Sequence, residues 1–396
     1  MIKHILTMLY NQKKKFTAVI FEQVLVFIAL SVSLTVALDT FRSYQSPGKL
    51  DVDNVVGFGY YINKDCDWRQ FFETAIKTMD VVKEKLEKKP YVESISEDLQ
   101  FIPYAKEAIY YWGDSISFTS GKKVYVHFKG ADEAAETVFK PDIIQGRWFR
   151  DGERVNGLYP AVITEQLAVA SEIEEPIGKI VFWGGQTYSI TGIVSGIKEA
   201  ALEESFPSII VPVTVLLPMG STGLSEELAA RIKPGYEDDF ANDFYLEWNR
   251  AWGTGDEVDL TFNVLEQKEK ASMEDALIRT VSVGIPALFL LLFTLIGTVG
   301  INLIDVEKRK RELALRVACG ASKKSIMNMI IAQNAVITGI SSIPGIIVIL
   351  LSFPWETSLP VVGFTIVLTL MLSVLCALYP AFKIFNMKPA ELLKEE

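Results

Sequence analysis

The chain is poor in the residues that most catalytic and metal chemistry needs. It has three cysteines, Cys66, Cys319 and Cys376, and two histidines, His4 and His127, among 396 residues. Three thiols cannot build a disulfide framework. Two histidines come close to excluding a His-based metal site or a histidine-dependent triad. No Walker A sequence occurs. Gly48-Lys49, Gly121-Lys122 and Gly178-Lys179 lack both the glycine five residues upstream and the following Ser or Thr, so the chain does not hold ATP by that route. The acidic runs Glu172-Ile173-Glu174-Glu175 and Glu237-Asp238-Asp239 lack the spacing and glycine of an EF-hand loop and read as solvated loops.

Charge is scarce in four long stretches. Residues 16–38 contain one ionisable side chain, Glu22; residues 280–304, 325–353 and 357–382 contain none. Each exceeds the roughly 20 apolar residues that cross a bilayer as a helix. This explains a mean hydropathy of +0.25 in a chain that is still 22% charged. Lysine and arginine gather at Lys3 and Lys13–Lys15, at Lys308–Arg311, Arg316, Lys323 and Lys324, and at Lys383, Lys388 and Lys394. That distribution predicts cytoplasmic termini, a cytoplasmic middle loop, and an outward-facing segment 39–279. The segment 39–279 has 25 basic against 41 acidic residues, a net of −16. Such an acidic outer domain argues against nucleic acid or an anionic surface as its partner. Thr35-Val36-Ala37 is a passable signal-peptide cleavage site. The long basic segment before the first span and the interrupting Glu22 favour an uncleaved anchor. Only Cys66 lies in 39–279, so that domain relies on its core, for which its length suffices.

Within 39–279, two β-α-β patterns flank a different middle. Val55–Ile62 reads as a strand, 68–88 as an amphipathic helix with Asp65 or Asp67 as its cap, and 91–96 as a strand. Ser225–Ile232 reads as a strand with a helix-compatible start, 239–252 as a helix and 258–265 as a strand; the two units are expected to share one sheet. Between them, 123–128, 179–183, 185–195 and 208–215 read as strands of an inserted β-rich part.

Glu22 is a functional candidate simply because it is ionisable within a span; snorkelling or packing is the alternative. Ala29, Ser33 and Ala37 form a small-residue ridge suited to close helix packing. Pro286 and Pro344 predict kinks, and Gly339 and Gly345 weak points. With no charge in the last three spans, a solute channel through one subunit is not expected. In the middle loop, Val306, Leu313, Val317 and Leu315 give an apolar side to a basic helix. Gly320 is placed to end that helix and Ser322 to cap the next. Docking to a cytoplasmic partner and binding to anionic lipid fit this loop equally well.

The run Arg311-Glu312-Leu313-Ala314-Leu315-Arg316-Val317-Ala318-Cys319-Gly320-Ala321-Ser322 resembles the RE-x-x-LR-x-x-G-A-S signature of MacB/FtsX-type ABC transporter permeases. Tyr379-Pro380-Ala381-Phe382-Lys383 with Met387-Lys388-Pro389-Ala390-Glu391-Leu392-Leu393 resembles that family's C-terminal ending. Gly146-Arg147-Trp148-Phe149 and Tyr188-Ser189-Ile190-Thr191-Gly192-Ile193-Val194 resemble two outer-domain pieces. Cys319-Gly320 stands where a Leu-Gly pair is usual. The resemblance implies four transmembrane helices with both termini inside and a large α+β outer domain. That domain would have a porter-like split β-α-β part, 50–104 and 223–268, and a β-rich insertion, 105–222. Residues 1–15 would be a cytoplasmic amphipathic segment, 305–324 the coupling segment, and 383–396 a cytoplasmic tail. Glu312, Leu313, Leu315, Arg316, Val317, Gly320, Ala321 and Ser322 would engage a cytoplasmic ABC ATPase dimer, with ATP and magnesium bound there. A second permease subunit would complete the complex.

On that footing the expected function is mechanotransmission by a non-catalytic subunit, driving export or release of a peptide, lipid-linked or toxic amphipathic cargo across a bacterial inner membrane. The alternative is an FtsX-like regulator of a cell-wall hydrolase. Membrane lipid, and a periplasmic adaptor or outer-membrane channel, are further expected partners. A receptor or scaffold without an ATPase is a third class.

Overall fold

The computed structural model describes residues 13–63, 68–104, 113–216, 225–253, 255 and 257–385. Several sequence expectations lie outside these residues: most of the N-terminal segment with Lys3 and His4, the caps Asp65 and Asp67, Cys66, and the ending Met387–Leu393. The chain divides into two compact units, 1–40 with 277–396, and 41–276.

The first unit holds the four long apolar helices: α1 (Lys13–Gln45), α7 (Leu265–Lys308), α9 (Lys323–Ser352) and α10 (Trp355–Phe385). Each is long and apolar enough to cross a bilayer. α1 and α7 run well past their apolar segments, and each crosses the division between the units without a break. Pro286, Pro344, Pro360 and Pro380 all lie inside these helices.

Among the described residues, the second unit contains eleven strands. β1 (Val55–Ile62), α2 (Trp68–Glu87) and β2 (Val92–Leu99) form the first β-α-β unit; β10 (Ser225–Ile232), α6 (Glu237–Trp252) and β11 (Val258–Val264) form the second. Their strands lie in the order β11-β1-β10-β2, antiparallel throughout, which is the split β-α-β arrangement. Alternation decides which face each strand residue meets. Val56, Phe58, Tyr60 and Ile62 of β1 join Leu228, Ala230 and Ile232 of β10 under the two helices. The helical repeat brings Met79, Val82 and Leu86 of α2, and Phe240, Phe244 and Trp248 of α6, onto the same core. Burying each such side chain is worth roughly 1.5–3 kcal/mol. Phe58 lies edge-on between Phe240 and Phe244.

Between the two units come β3 (Gly113–Phe118), β4 (Lys123–Ala131), α3 (Ala135–Phe139), β5 (Ile143–Gly146), β6 (Tyr159–Thr164), α4 (Glu165–Ser171), β7 (Ile180–Trp183), β8 (Gln186–Val194), β9 (Ser208–Pro212) and α5 (Val213–Leu216). Six of these strands close on themselves: β4-β3-β7-β8-β6-β9, with β9 returning parallel to β4. Their inward residues, among them Val126, Phe128, Ala161, Ile163, Ile190 and Ile209, form a second core. β2 joins the closed part through Asp98↔Ala131 and Leu99↔Gly130. The strand expected over 208–215 stops at Pro212, and Val213–Leu216 turns into a short helix.

Candidate functional site

The loop between the second and third spans folds as the helix α8 (Lys310–Ala318), set off from α7 at Arg309 and from α9 at residues 319–322. The Arg309 guanidinium reaches Gln333 at 3.2 Å and Asp305 at 3.4 Å, pinning this corner to α7 and α9. At the other end Gly320 has φ +95°, and the N–H groups of Gly320 and Ala321 donate to the carbonyls of Val317 and Arg316. That is a Schellman closure, which needs a left-handed residue at this position. Ser322 then caps α9, its side chain accepting from the Ser325 N–H at 3.2 Å.

The apolar side of α8 is turned inward. Leu313 is 3% exposed and packs with Val306, Ile326, Ile330, Ala377 and Ala381; Val317 packs against the same group. Leu313 and Val317 therefore hold the helix onto the chain's own spans. What α8 presents outward is Glu312, Leu315 at 56% exposure and, one turn on, Cys319. The Arg316 guanidinium donates to Glu312 at 2.7 Å and fixes this face in place.

Inside the four-helix unit, Glu22 of α1 meets α7. Its carboxylate accepts from Thr294 Oγ1 at 2.8 Å and lies against Gly297, where the glycine leaves room for it. The buried ridge of α1 is Phe27, Ser31 and Thr35, with Ser31 Oγ donating to Thr365 Oγ1 at 3.3 Å. Ala29, Ser33 and Ala37, expected as the packing ridge, lie on a more exposed face; only Ser33 approaches a glycine, Gly284. Gly345 is a packing position, because a Cβ there would come within 2.4 Å of the Phe27 ring. A cavity of about 40 Å³ opens between the four helices, lined in part by Gln23, Thr294, Thr298, Thr338, Ser342 and Ser373. Among the described residues, Glu22 is the one acidic or basic side chain beside it, and seven of the lining residues carry hydroxyls.

In the outer unit, sequence reasoning missed three buried cations that organise the region where α1 ends and α7 begins. Arg231 donates to the carbonyls of Val138, Asp53 and Asp51. Lys198 is buried, and its Nζ donates to the Ser43 carbonyl in the last turn of α1, while its backbone N–H donates to Gly48. Lys129 is buried on β4 and donates to Glu199 at 2.8 Å and to the Gln100 carbonyl; His127 shares the same Glu199 oxygen at 3.0 Å. Desolvation holds both lysine pKa values below the usual range. The Ala201 N–H donates to Ser272 on α7, and Lys49 pairs with Glu269 at 2.6 Å. The segment joining β8 to β9 thus touches both helix ends. Gly48 and Gly196 meet backbone to backbone, where a Cβ on Gly48 would stand 2.7 Å from the Gly196 carbonyl carbon. Isolated basic residues in strands and loops give no sequence signal for such roles.

Comparison with known proteins places this architecture. The model of the MacB-like periplasmic core domain matches residues 25–243, and that of the FtsX-like permease C-terminal segment matches residues 284–389. The chain belongs to the MacB/FtsX-type permease family. The macrolide export ATP-binding/permease protein MacB of Campylobacter jejuni is 26% identical over 240 residues, covering 56% of this chain and 36% of that protein. The pyoverdine export ATP-binding/permease protein PvdT of Pseudomonas entomophila is 25% identical over 239 residues, covering 59% of this chain and 36% of that protein. The uncharacterized ABC transporter permease YknZ of Bacillus subtilis is 24% identical over 283 residues, covering 67% and 69%. The chain therefore matches only about a third of the length of its MacB and PvdT relatives. The crystal structure of the extracellular domain of YknZ matches at TM-score 0.38 and 15% identity, covering 52% of this chain and 100% of that one. As a MacB/FtsX-type permease with four apolar helices, the chain is a multi-pass inner-membrane protein with a large periplasmic domain.

Proposed function

We propose that this chain is the permease subunit of an ABC transporter in which a separate cytoplasmic ATPase dimer drives movement of the outer domain. The work would be export or release of a peptide, lipid-linked or toxic amphipathic cargo, and two permease subunits would form the complex. Both termini and α8 would face the cytoplasm, as the lysine and arginine distribution predicts. One observation carries the reading. α8 is a short, capped helix with an outward Glu312–Leu315–Cys319 face, seated between two spans, and one of those spans, α7, runs unbroken from the membrane segment into the outer unit. A partner that displaces α8 would displace α7 with it. Packing of the four spans, three of them without a charged residue, around a small interior supports motion along the helices over passage of a solute between them.

The test is purification from native membranes in a mild detergent, followed by mass spectrometry. A Walker-motif ATPase should accompany the wild-type chain. Its absence even after crosslinking would overturn the reading and favour a receptor or scaffold. A reporter inserted at residue 120 should lie outside and one at the C-terminus inside; the reverse pattern would overturn the orientation.

A further inference from the structure

The cavity between the four spans has a mostly apolar wall, into which a cluster of hydroxyls and one amide are set. α1 contributes Gln23, α7 contributes Thr294 and Thr298, α9 contributes Thr338, Ser341 and Ser342, and α10 contributes Ser373. Several of these hydroxyls are already used. Thr338 Oγ1 donates to Ser373 Oγ at 2.8 Å, Ser342 Oγ donates to the Thr338 carbonyl at 2.7 Å, and Ser341 Oγ lies 2.9 Å from both Gln23 Oε1 and the Thr338 carbonyl. Ser341 has one proton for those two acceptors. Gln23 is in a worse position: no described residue accepts from its amide nitrogen. Exchanging the two ends of the amide only moves the unmet group to the carbonyl oxygen. A polar group left unmatched in hydrocarbon costs several kcal/mol.

We propose that this cavity is a buried water site, in which one or two water molecules joined to the Gln23 amide and the surrounding hydroxyls bridge the four spans within the bilayer. The volume of about 40 Å³ is sufficient, because a water needs roughly 10–15 Å³ of such space and two to four polar partners. The Gln23 amide and the hydroxyls beside it supply those partners, which a wholly apolar cavity would lack. Water gives these helices contacts that can change partners. Hydroxyl-to-water bonds reform after a small shift of one helix past another, whereas an interlocked apolar seam must be pried apart. This inference does not rest on the transport reading.

Radiolytic hydroxyl footprinting of the full chain in lipid nanodiscs tests it, because radicals form where water is. Cys376 lines the cavity and is buried; Phe27 lines it as well. Phe293 and Phe364 are exposed on the apolar helices and report lipid-facing positions, and Cys319 reports bulk solvent. The expected result is oxidation of Phe27 several-fold faster than the lipid-facing phenylalanines, with Cys376 labelled at an appreciable fraction of the Cys319 rate. Labelling at the lipid-facing rate would overturn the proposal. Ser342→Leu fills the cavity and Gln23→Leu removes the unmet amide; each should lower Cys376 labelling while leaving Cys319 unchanged. Undiminished labelling in either folded variant would also overturn it. Should neither variant fold, the wild-type comparison decides alone. Protection of Cys376 by sodium, but not by N-methylglucamine at equal ionic strength, would mean that an ion holds the site instead of water.

Discussion

The ammonium of Lys198 sits 2.5 Å from the carbonyl oxygen of Ser43. The contact places a positive charge on the last turn of α1, where the carbonyls have no partner within the helix and the macrodipole is negative. Lys198→Met keeps the apolar stem and removes the donor. Ser46 Oγ still donates to the same carbonyl at 2.9 Å, so loss of the charged hydrogen bond alone should lower stability by roughly 1 kcal/mol. Tryptophan-monitored unfolding of the purified chain would read the change, and an unmoved midpoint would show the contact to be idle.

Leu313 and Leu315 are neighbours on α8 with opposite consequences. Leu313→Asp puts a carboxylate into the Val306–Ile326–Ala377 cluster and should prevent stable folding of the membrane unit. Leu315→Asp alters an exposed position and should shift stability by no more than about 0.5 kcal/mol. It should nonetheless remove the ATPase from the purified complex. A normal complex with Leu315→Asp would eliminate this face as the docking surface.

Gly345→Ala should weaken the membrane unit by roughly 1–3 kcal/mol, because the added methyl falls on the Phe27 ring. Gly339→Ala, with nothing within 4 Å of the new Cβ, is the control and should cost nothing. Thermal stability in nanodiscs compares the two, and equal behaviour would contradict the packing described here.

Asp132 gives the outer unit a pH signature. Its carboxylate accepts from the Glu97 N–H at 3.0 Å and from the Ala135 N–H at 3.1 Å. Burial outweighs these bonds and pushes its pKa up to about 6. A carboxyl group that holds its proton more tightly when folded stabilises most at pH below its ordinary value of 3.8, and that benefit disappears as pH rises through 6. Relative to Asp132→Asn, the wild type should lose up to about 3 kcal/mol between pH 4 and 7. The variant also disturbs the hydrogen bond from Glu97, a constant offset, so only the slope is informative. Parallel pH curves for the two proteins would exclude the effect.

The parts of this molecule that were legible in sequence are those set by local pattern. Four long apolar runs, three of them without a charge, had to be spans, and β1 has the bounds its β-branched and aromatic residues predict. Gly320 and Ser322 form the two caps that their spacing suggests. Closure of the β-rich part was not legible, because the parallel pairing of His127 with Ser208 joins residues far apart in the chain. Nor was the direction of the apolar side of α8. Leu313 and Leu315 are equally apolar, and only the packing of α7, α9 and α10 decides which one is covered. Hydroxyls scattered along four spans look unremarkable until the bundle gathers them around one cavity.

The return of β9 to β4 has a consequence for solubility. A strand paired on both sides offers no template to a neighbouring molecule, and a closed ring of strands removes the edges along which proteins polymerise. Among the described residues, β11 and β5 each pair on one side only. Substitutions that part β4 from β9 should therefore announce themselves as self-association of the outer unit before its helices melt.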